Sequence, residues 1–530
     1  MSVGKLVKLS ALICVTAYSQ MMRRDQHGKR AAGGARLQAA LRQEMAGLPA
    51  SRLLEVEESL RPNYEAFPKD ARGNLPPKVL AALVRSHFAK DHGWNILGLE
   101  LPGAPIIAPG STWQASSPAG QISGEVFHSR ALQEKTPELA AALKEMTEAS
   151  VATASGLSLS DVVRTVAVLE QLLLAQSVPL LRSSYFLNGF IDSNQTLENS
   201  ESRPVTEAEL HQALQSFLLL FRHGLPRNIT DVKSHARMKR RAIRSGDWKD
   251  LLDFEKGVVN ESEHLKDSSG KFSWAAASAT VTNLAEAFGT WQNRECMEMK
   301  AALQEMDHKG TGRVSLADFH GAPTHLHFTF AEKEDYLRKA GILAEDDMKK
   351  PEVLIANYLL GPSNCIASSE YFSVCCLNEC EAIVTEIEKH LQAPAATLEQ
   401  IMEAVKEVRA ARQKQDAGNT EISEVLVQAL SVLADTDGAV VLHAPAYRQW
   451  LHQVFPAECP KLTSREIAAE EAELVEAREW LEIDDAARQK WQPMVLRPEE
   501  CSRVPAWHTM HYQAEVPSDA DDDFGVVEEM

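Results

Sequence analysis

The chain has 530 residues, with 74 Asp and Glu against 55 Lys and Arg, a formal charge of −19 and a pI near 5.4. Apolar residues at 44 % and charged residues at 24 % are ordinary globular usage, which excludes a collagen-like, fully disordered or polytopic membrane chain. The acidity argues against a nucleic-acid partner, since phosphate contacts need clustered Lys and Arg, and the length predicts about three domains.

The first 43 residues carry eight Lys/Arg and one acid, Asp25. Lys5 and Lys8 precede a short apolar run, Leu9 to Ala17, with small residues at Ala17 and Ser19. This is the layout of a secretory signal; an Arg-rich organellar transit peptide and a disordered basic leader are the competing readings. No later stretch reaches ~18 consecutive apolar residues, so no transmembrane segment is expected. The compartment implied is the secretory route or the outside of the cell, with an organelle or the cytoplasm as alternatives. Asn194, Asn228 and Asn260 begin sequons that matter only if the chain is secreted.

Beyond this basic leader, taken as residues 1–70, helical signals dominate. Pro76-Pro77 opens a helix at Lys78 to Phe88, where the missing proline N–H would be unpaired anyway. Thr136-Pro137-Glu138 supplies cap, proline and acid in order. Ser160-Asp161 opens Val162 to Leu174, apolar on most faces and therefore a central buried helix. Thr206 with Glu209, Thr397 with Gln400 and Thr463 with Glu466 are capping-box pairs. Residues 98–125 are Pro- and Gly-rich and read as a long loop. The basic run 233–244 reads as a solvated helix face, with an anionic-partner patch as its alternative. The expected division is a helical domain at 75–225, a helical connector at 226–289, a cysteine-containing domain at 290–460, and an acidic helix with a disordered tail at 463–530.

The most informative stretch is Asp307-His-Lys-Gly-Thr-Gly-Arg-Val-Ser-Leu-Ala-Asp318, which follows a helix with Met299, Ala302, Leu303 and Met306 on one face. It has the twelve-residue length of an EF-hand loop, with Gly312 at position 6 and Val314 at the short-strand position. Asp307, Thr311, Arg313 (through its carbonyl), Ser315 and Asp318 are the candidate calcium ligands. Lys309 stands at position 3, and the shorter Asp318 replaces the bidentate glutamate at position 12. Affinity in such loops follows ligand charge and count, so the expectation is millimolar calcium binding or none. Gly312-Arg-Val-Ser-Leu316 is matched by Gly438-Ala-Val-Val-Leu442, so Val314 is expected to pair with Val440 across an inserted segment. The fold class expected is mainly α and multi-helical, with a degenerate EF-hand-like helix-loop-helix pair and at most a short two-stranded ladder.

Six cysteines are disulfide candidates: Cys296, Cys365, Cys375, Cys376, Cys380 and Cys459. Four fall within Cys365 to Cys380 and suggest a local knot, in which adjacent Cys375 and Cys376 must take different partners. Cys501 is the expected leftover thiol.

The blocks Trp291-Gln-Asn-Arg-Glu-Cys296, Gly310 to Phe319, Ser363-Asn-Cys-Ile-Ala-Ser-Ser369 and Tyr371-Phe-Ser-Val-Cys-Cys-Leu-Asn-Glu-Cys-Glu381 carry a resemblance. So do His92-Gly-Trp94, Ser116 to Gly120, Trp450-Leu-His452 and Pro456 to Pro460. Over roughly residues 75–460 the chain resembles a family of uncharacterised protist proteins abundant in dinoflagellates. That resemblance implies a degenerate EF-hand-like domain and no particular reaction.

No Walker loop, nucleophile elbow, zincin motif or dinucleotide fingerprint occurs. His320, His325 and His327 with Cys365, Cys376 and Cys380 would suit structural zinc, and Cys375-Cys376 a thiol oxidoreductase, but paired Cys-x-x-Cys spacing and a thioredoxin-like pattern are missing. His92 and His452 beside Trp94 and Trp450 read as packed core histidines. The sequence therefore points to a non-enzymatic interaction or scaffold protein with an unknown protein partner and weak calcium as its sole cofactor. The alternatives are a metal-free secreted disulfide protein and a zinc- or thiol-dependent enzyme.

Overall fold

A computed structural model describes residues 35–45, 48–99, 129–148, 156–191, 204–222, 231–244, 248–322, 328–344, 350–369, 371–412 and 422–489. The chain divides into a body, Lys29–Asp484, and a unit formed by Met1–Gly28 with Asp485–Met530. The signal-like run, the Pro/Gly-rich stretch from 100 to 125, the acidic tail, Cys14, Cys501, His325 and His327 lie outside the described residues.

The described part of the body is mainly α. Its first core is built by α1 (35–44), α2 (Ala50–Ala66), α3 (Leu80–Asp91), α4 (Arg130–Lys135), α5 (Pro137–Glu148), α6 (Leu159–Leu174), α7 (Ser177–Leu187) and α8 (Glu207–Arg222). It also takes in α10 (Trp248–Glu261) and the first half of α11 (Trp274–Met306), while α9 (Val232–Ala242) lies exposed against α8 with only His235 buried. The basic leader therefore ends earlier than expected. Leu37, Leu41, Val56 and Leu60, spaced one helical turn apart, are each at most 2 % exposed in this core. The connector expected at 226–289 is likewise core-forming, through Trp248, Leu251, Val258, Val259 and Phe272.

Capping sets the helix starts. Ser158 accepts from the Asp161 N–H and Asp161 reaches back to the Ser158 N–H, a complete capping box opening α6. Thr206 and Glu209 do the same for α8, at 2.8 and 3.3 Å. The stretch Leu159–Leu187 is long and apolar enough to cross a membrane, but 67 % of its apolar window is buried in the body, as central core helices require.

α11 runs 33 residues and serves as a spine. Its first half places Val281, Leu284 and Phe288 in the first core; its second half places Met299 and Leu303 in another. Gly289 sits where α11 meets the turn before β1 (Trp94–Ile96), and a Cβ there would stand 2.0 Å from the His92 carbonyl oxygen. β1 pairs with β6 (Phe372–Val374), which also pairs with β5 (Ile366–Ala367).

The rest of the body consists of helix–strand–helix units taken in pairs. α11, β2 (Arg313–Ser315) and α12 (Leu316–His320) form the first. The second contains α13 (Glu334–Lys339), β3 (Leu343–Ala344), β4 (Glu352–Leu354) and α14 (Ile355–Leu359). β2 and β4 are antiparallel, with Val314 opposite Val353. The third unit is α15 (Glu379–Leu391), β7 (Ala395–Thr397) and α16 (Leu398–Arg412); the fourth is α17 (Glu424–Ser431), β8 (Ala439–Val441) and α18 (Pro445–Val454). β7 and β8 are antiparallel, with Ala396 opposite Val440. The acidic helix α19 (Ser464–Gln489) ends the described chain.

This corrects the pairing expected from the sequence. Val314 and Val440 are both strand centres, but each has a different partner and each pair closes its own core. Among the described residues there are three small antiparallel sheets, two of them three-stranded, in a fold that is mainly α as expected.

Candidate functional site

The loop Asp307–Asp318 is held by its own side chains. Asp307 caps the end of α11; its Oδ2 accepts from the Gly312 N–H at 2.6 Å and its Oδ1 from Thr311 Oγ1 at 3.3 Å. At the other end Ser315 is the N-cap of α12, accepting from the Asp318 N–H at 3.1 Å and donating to Asp318 Oδ2 at 2.6 Å. Arg313 Nη1 lies 3.6 Å from Glu352 on the paired strand. Gly312 has φ +71°, and a Cβ on it would lie 2.4 Å from the Pro456 carbonyl oxygen. Both the turn and this close approach therefore demand glycine. The five candidate ligands thus share one loop, with both aspartates engaged by loop donors. Among the described residues, no three His, Cys, Asp or Glu side chains converge as a metal site would require.

The loops before β7 and β8 are built differently. Only 392–397 separate α15 from α16, half a calcium loop. Before β8, Asp435 turns inward to accept from the Asp437 and Ala439 N–H groups, both at 2.9 Å.

The six candidate cysteines form three disulfides: Cys296–Cys376, Cys365–Cys375 and Cys380–Cys459. Cys375 and Cys376 take different partners, as their adjacency demands. The local knot, however, is only one bond: the other two span sequence separations of 80 and 79. All the sulfurs of the zinc and thiol readings are bonded in these bridges. Beside the two long bridges, Lys300 is buried and joins Glu379 at 2.6 Å to Glu458 at 2.7 Å. Covalent and ionic ties thus fasten α11, the start of α15 and the segment after α18 at one place.

A cleft of about 380 Å³ lies beneath α19. Phe67, Val79, Leu83, Ile96 and Leu360 line its apolar part, and Leu474, Ala477 and Leu481 of α19 cover it. Its polar end is built on one face of α15, by Glu381 and Glu388. Glu381 accepts from Ser86 at 2.7 Å and pairs with Arg448, which also lies 3.8 Å from Glu470 of α19. Burial pushes the Glu381 carboxyl up, but Arg448 and Ser86 outweigh it and hold it below its usual range. Glu388, 1 % exposed, accepts from Asn63 at 2.7 Å. Burial raises its carboxyl well above the ordinary range, and the nearby Glu381 charge adds to that. His443 stacks on Phe67 with centroids 3.6 Å apart, and its Nε2 lies 3.4 Å from Glu388 Oε1. Burial, reinforced by Arg448, pushes this imidazole down to about 3. Burial thus disfavours the charged form of both groups, and neither Glu388 Oε1 nor His443 Nε2 completes a hydrogen bond.

Sequence reading missed this cluster. The available signal was the seven-residue spacing of Glu381 and Glu388 along the buried face of α15 that carries Val384. The histidines singled out are packed as expected. His92 stacks on Trp94 and pairs with Glu170 at 2.9 Å, and His452 bonds the Cys459 carbonyl at 2.7 Å.

No family model, curated protein or solved structure matches this chain.

Proposed function

We propose that the chain is a non-enzymatic interaction scaffold whose residues 274–454 are two pairs of degenerate EF-hand-like units. The observation that carries this reading is the strand pairing. Val314 opposite Val353 and Ala396 opposite Val440 join helix–strand–helix units two by two, each pair with its own core, as hand loops do through their short strands. The likeness to dinoflagellate-type protist proteins agrees with it. Asp307, Thr311, the Arg313 carbonyl, Ser315 and Asp318 would be the ligands in the first loop, and the charge of its two aspartates is offset by Lys309 and Arg313. Calcium then binds at millimolar concentration or not at all. The disulfides fit a secretory or extracellular setting.

Two measurements on the full chain test this. Calorimetric titration with calcium is expected to give no saturable heat below millimolar concentration, and no rise in melting temperature there; a ligand bound only by the native state must raise it. Micromolar binding abolished by Asp307→Asn would overturn the degenerate reading. Thiol counting in denaturant, before and after reduction, is expected to find six oxidised cysteines. A fully reduced protein carrying zinc would instead support the metal-dependent alternative.

A further inference from the structure

We infer that the cleft beneath α19 is a binding site for an uncharged, mainly apolar organic molecule with a hydrogen-bonding group at one end. Its size and lining are the first argument. Small-molecule sites run from roughly 300 to 1,000 Å³ and combine apolar walls with a few convergent polar groups; this cleft has about 380 Å³ and that composition.

Charge decides the ligand class. The charged side chains around the cleft balance: Arg85, Arg448 and Arg478 stand against Glu381, Glu466 and Glu470, while burial disfavours the charged form of Glu388. An ionic ligand would lose its hydration without gaining a counter-charge, whereas an uncharged one would not. At the polar end, Arg448 keeps 25 % of its side-chain surface accessible while lining the cleft, so it can meet a hydroxyl or carbonyl.

The covering helix is pinned at its root. Asn357 bonds the Lys461 carbonyl and N–H, both at 2.9 Å, and Gln449 bonds the Leu462 carbonyl at 2.9 Å. From there α19 turns one stripe to the cleft: Glu466, Glu470, Leu474, Ala477 and Leu481, at helical spacing. Val475, off the stripe, is 51 % exposed. This site does not use the Asp307–Asp318 loop, so it stands or falls apart from the calcium reading.

The test is fluorescence titration of the oxidised full chain with Nile red, an uncharged apolar dye, followed by displacement with 1-dodecanol. Ala477→Trp fills the cleft from α19, Ala82→Trp fills it from α3, and Ala468→Trp adds the same ring on the exposed face of α19. Saturable binding is expected in the parent and in Ala468→Trp, displaced by the alcohol, and weakened at least tenfold in the two filling variants. Circular dichroism identifies any variant that does not fold, and the other filling variant then decides. Non-saturable uptake, or equal binding in all folded variants, would overturn the inference.

Discussion

Removing Cys380–Cys459 by a double alanine replacement is the sharpest test of how the second pair of units is held. The bond joins the start of α15 to the segment after α18, and its sulfurs belong to residues 3 % and 1 % exposed. Its sequence separation is 79, and nearly the whole second core, from Ile383 to Phe455, lies inside the loop it closes. No other bridge falls within that loop, so its loop-closure term stands alone. Cross-linking a loop of that size removes unfolded-state entropy worth about 4.5 kcal/mol at 25 °C, against about 2.8 kcal/mol for the eleven-residue loop of Cys365–Cys375. Guanidinium unfolding followed by tryptophan emission reports the loss, since Trp450 is buried inside the affected core. The long-loop variant is expected to lose about 1.7 kcal/mol more than a matched Cys365→Ala/Cys375→Ala variant. Equal losses, or a larger loss for the short loop, would refute the entropic account and place the second core's stability in its packing alone.

Three further outcomes follow from the same geometry. Lys300→Met leaves Glu379 and Glu458 facing each other without their shared cation; because both keep about a fifth of their surface in water, the loss in urea unfolding should be about 2 kcal/mol, below the full cost of an unpaired buried charge. Gly312→Ala should cost clearly more than Gly310→Ala in melting temperature. Both have positive φ, worth about 1–2 kcal/mol, but only the Gly312 Cβ would collide with the Pro456 carbonyl, whereas nothing lies within 4 Å of the Gly310 Cβ. Glu388→Gln should raise the urea midpoint at pH 7.5 and leave it nearly unchanged at pH 4. The folded carboxyl has a raised pKa, so above the unfolded value of about 4.3 the native state holds a proton that the unfolded state releases, and stability falls as pH rises. A pH-independent difference would contradict that assignment.

What was legible in the sequence follows from how local each signal is. The boxes Thr206/Glu209, Thr397/Gln400 and Thr463/Glu466 are closed by residues three apart, and all three form. The Gly-x-Val-x-Leu pattern located two strands correctly, because Gly312 and Gly438 mark turns with positive φ. Their partners were hidden. Glu352–Leu354 follows Pro351 and Ala395–Thr397 follows Pro394, without a turn glycine or ligand spacing to announce a loop. Adjacent cysteines dictated separate partners, but which sulfur meets which depends on the path of α11 and α15. Leu37 and Leu41 stand one helical turn apart, but the basic residues around them give the stretch the composition of a leader. The Glu388–His443 contact joins residues 55 positions apart across α2, and no local pattern encodes it.

On the proposed reading, the loop Asp307–Asp318 is a hand held together without a metal. A calcium ion in such a loop gathers oxygens and fixes the approach of two helices. Here Asp307 draws in the Gly312 and Thr311 donors, Ser315 and Asp318 close the next helix, and the β2–β4 ladder sets the register. Cys296–Cys376 and the Lys300 pairs then fix α11 against its neighbours, which is the work the ion would otherwise do. The expected consequence is asymmetric. The proposed reading, in which no bound ion contributes to folding, predicts that excess chelator leaves the melting temperature of the oxidised chain within a degree. Reductant alone should lower it by many degrees, since two bridges with loops of about 80 residues are opened. A chelator-induced drop comparable to the reductant's would mean that metal, not sulfur, holds the paired units together.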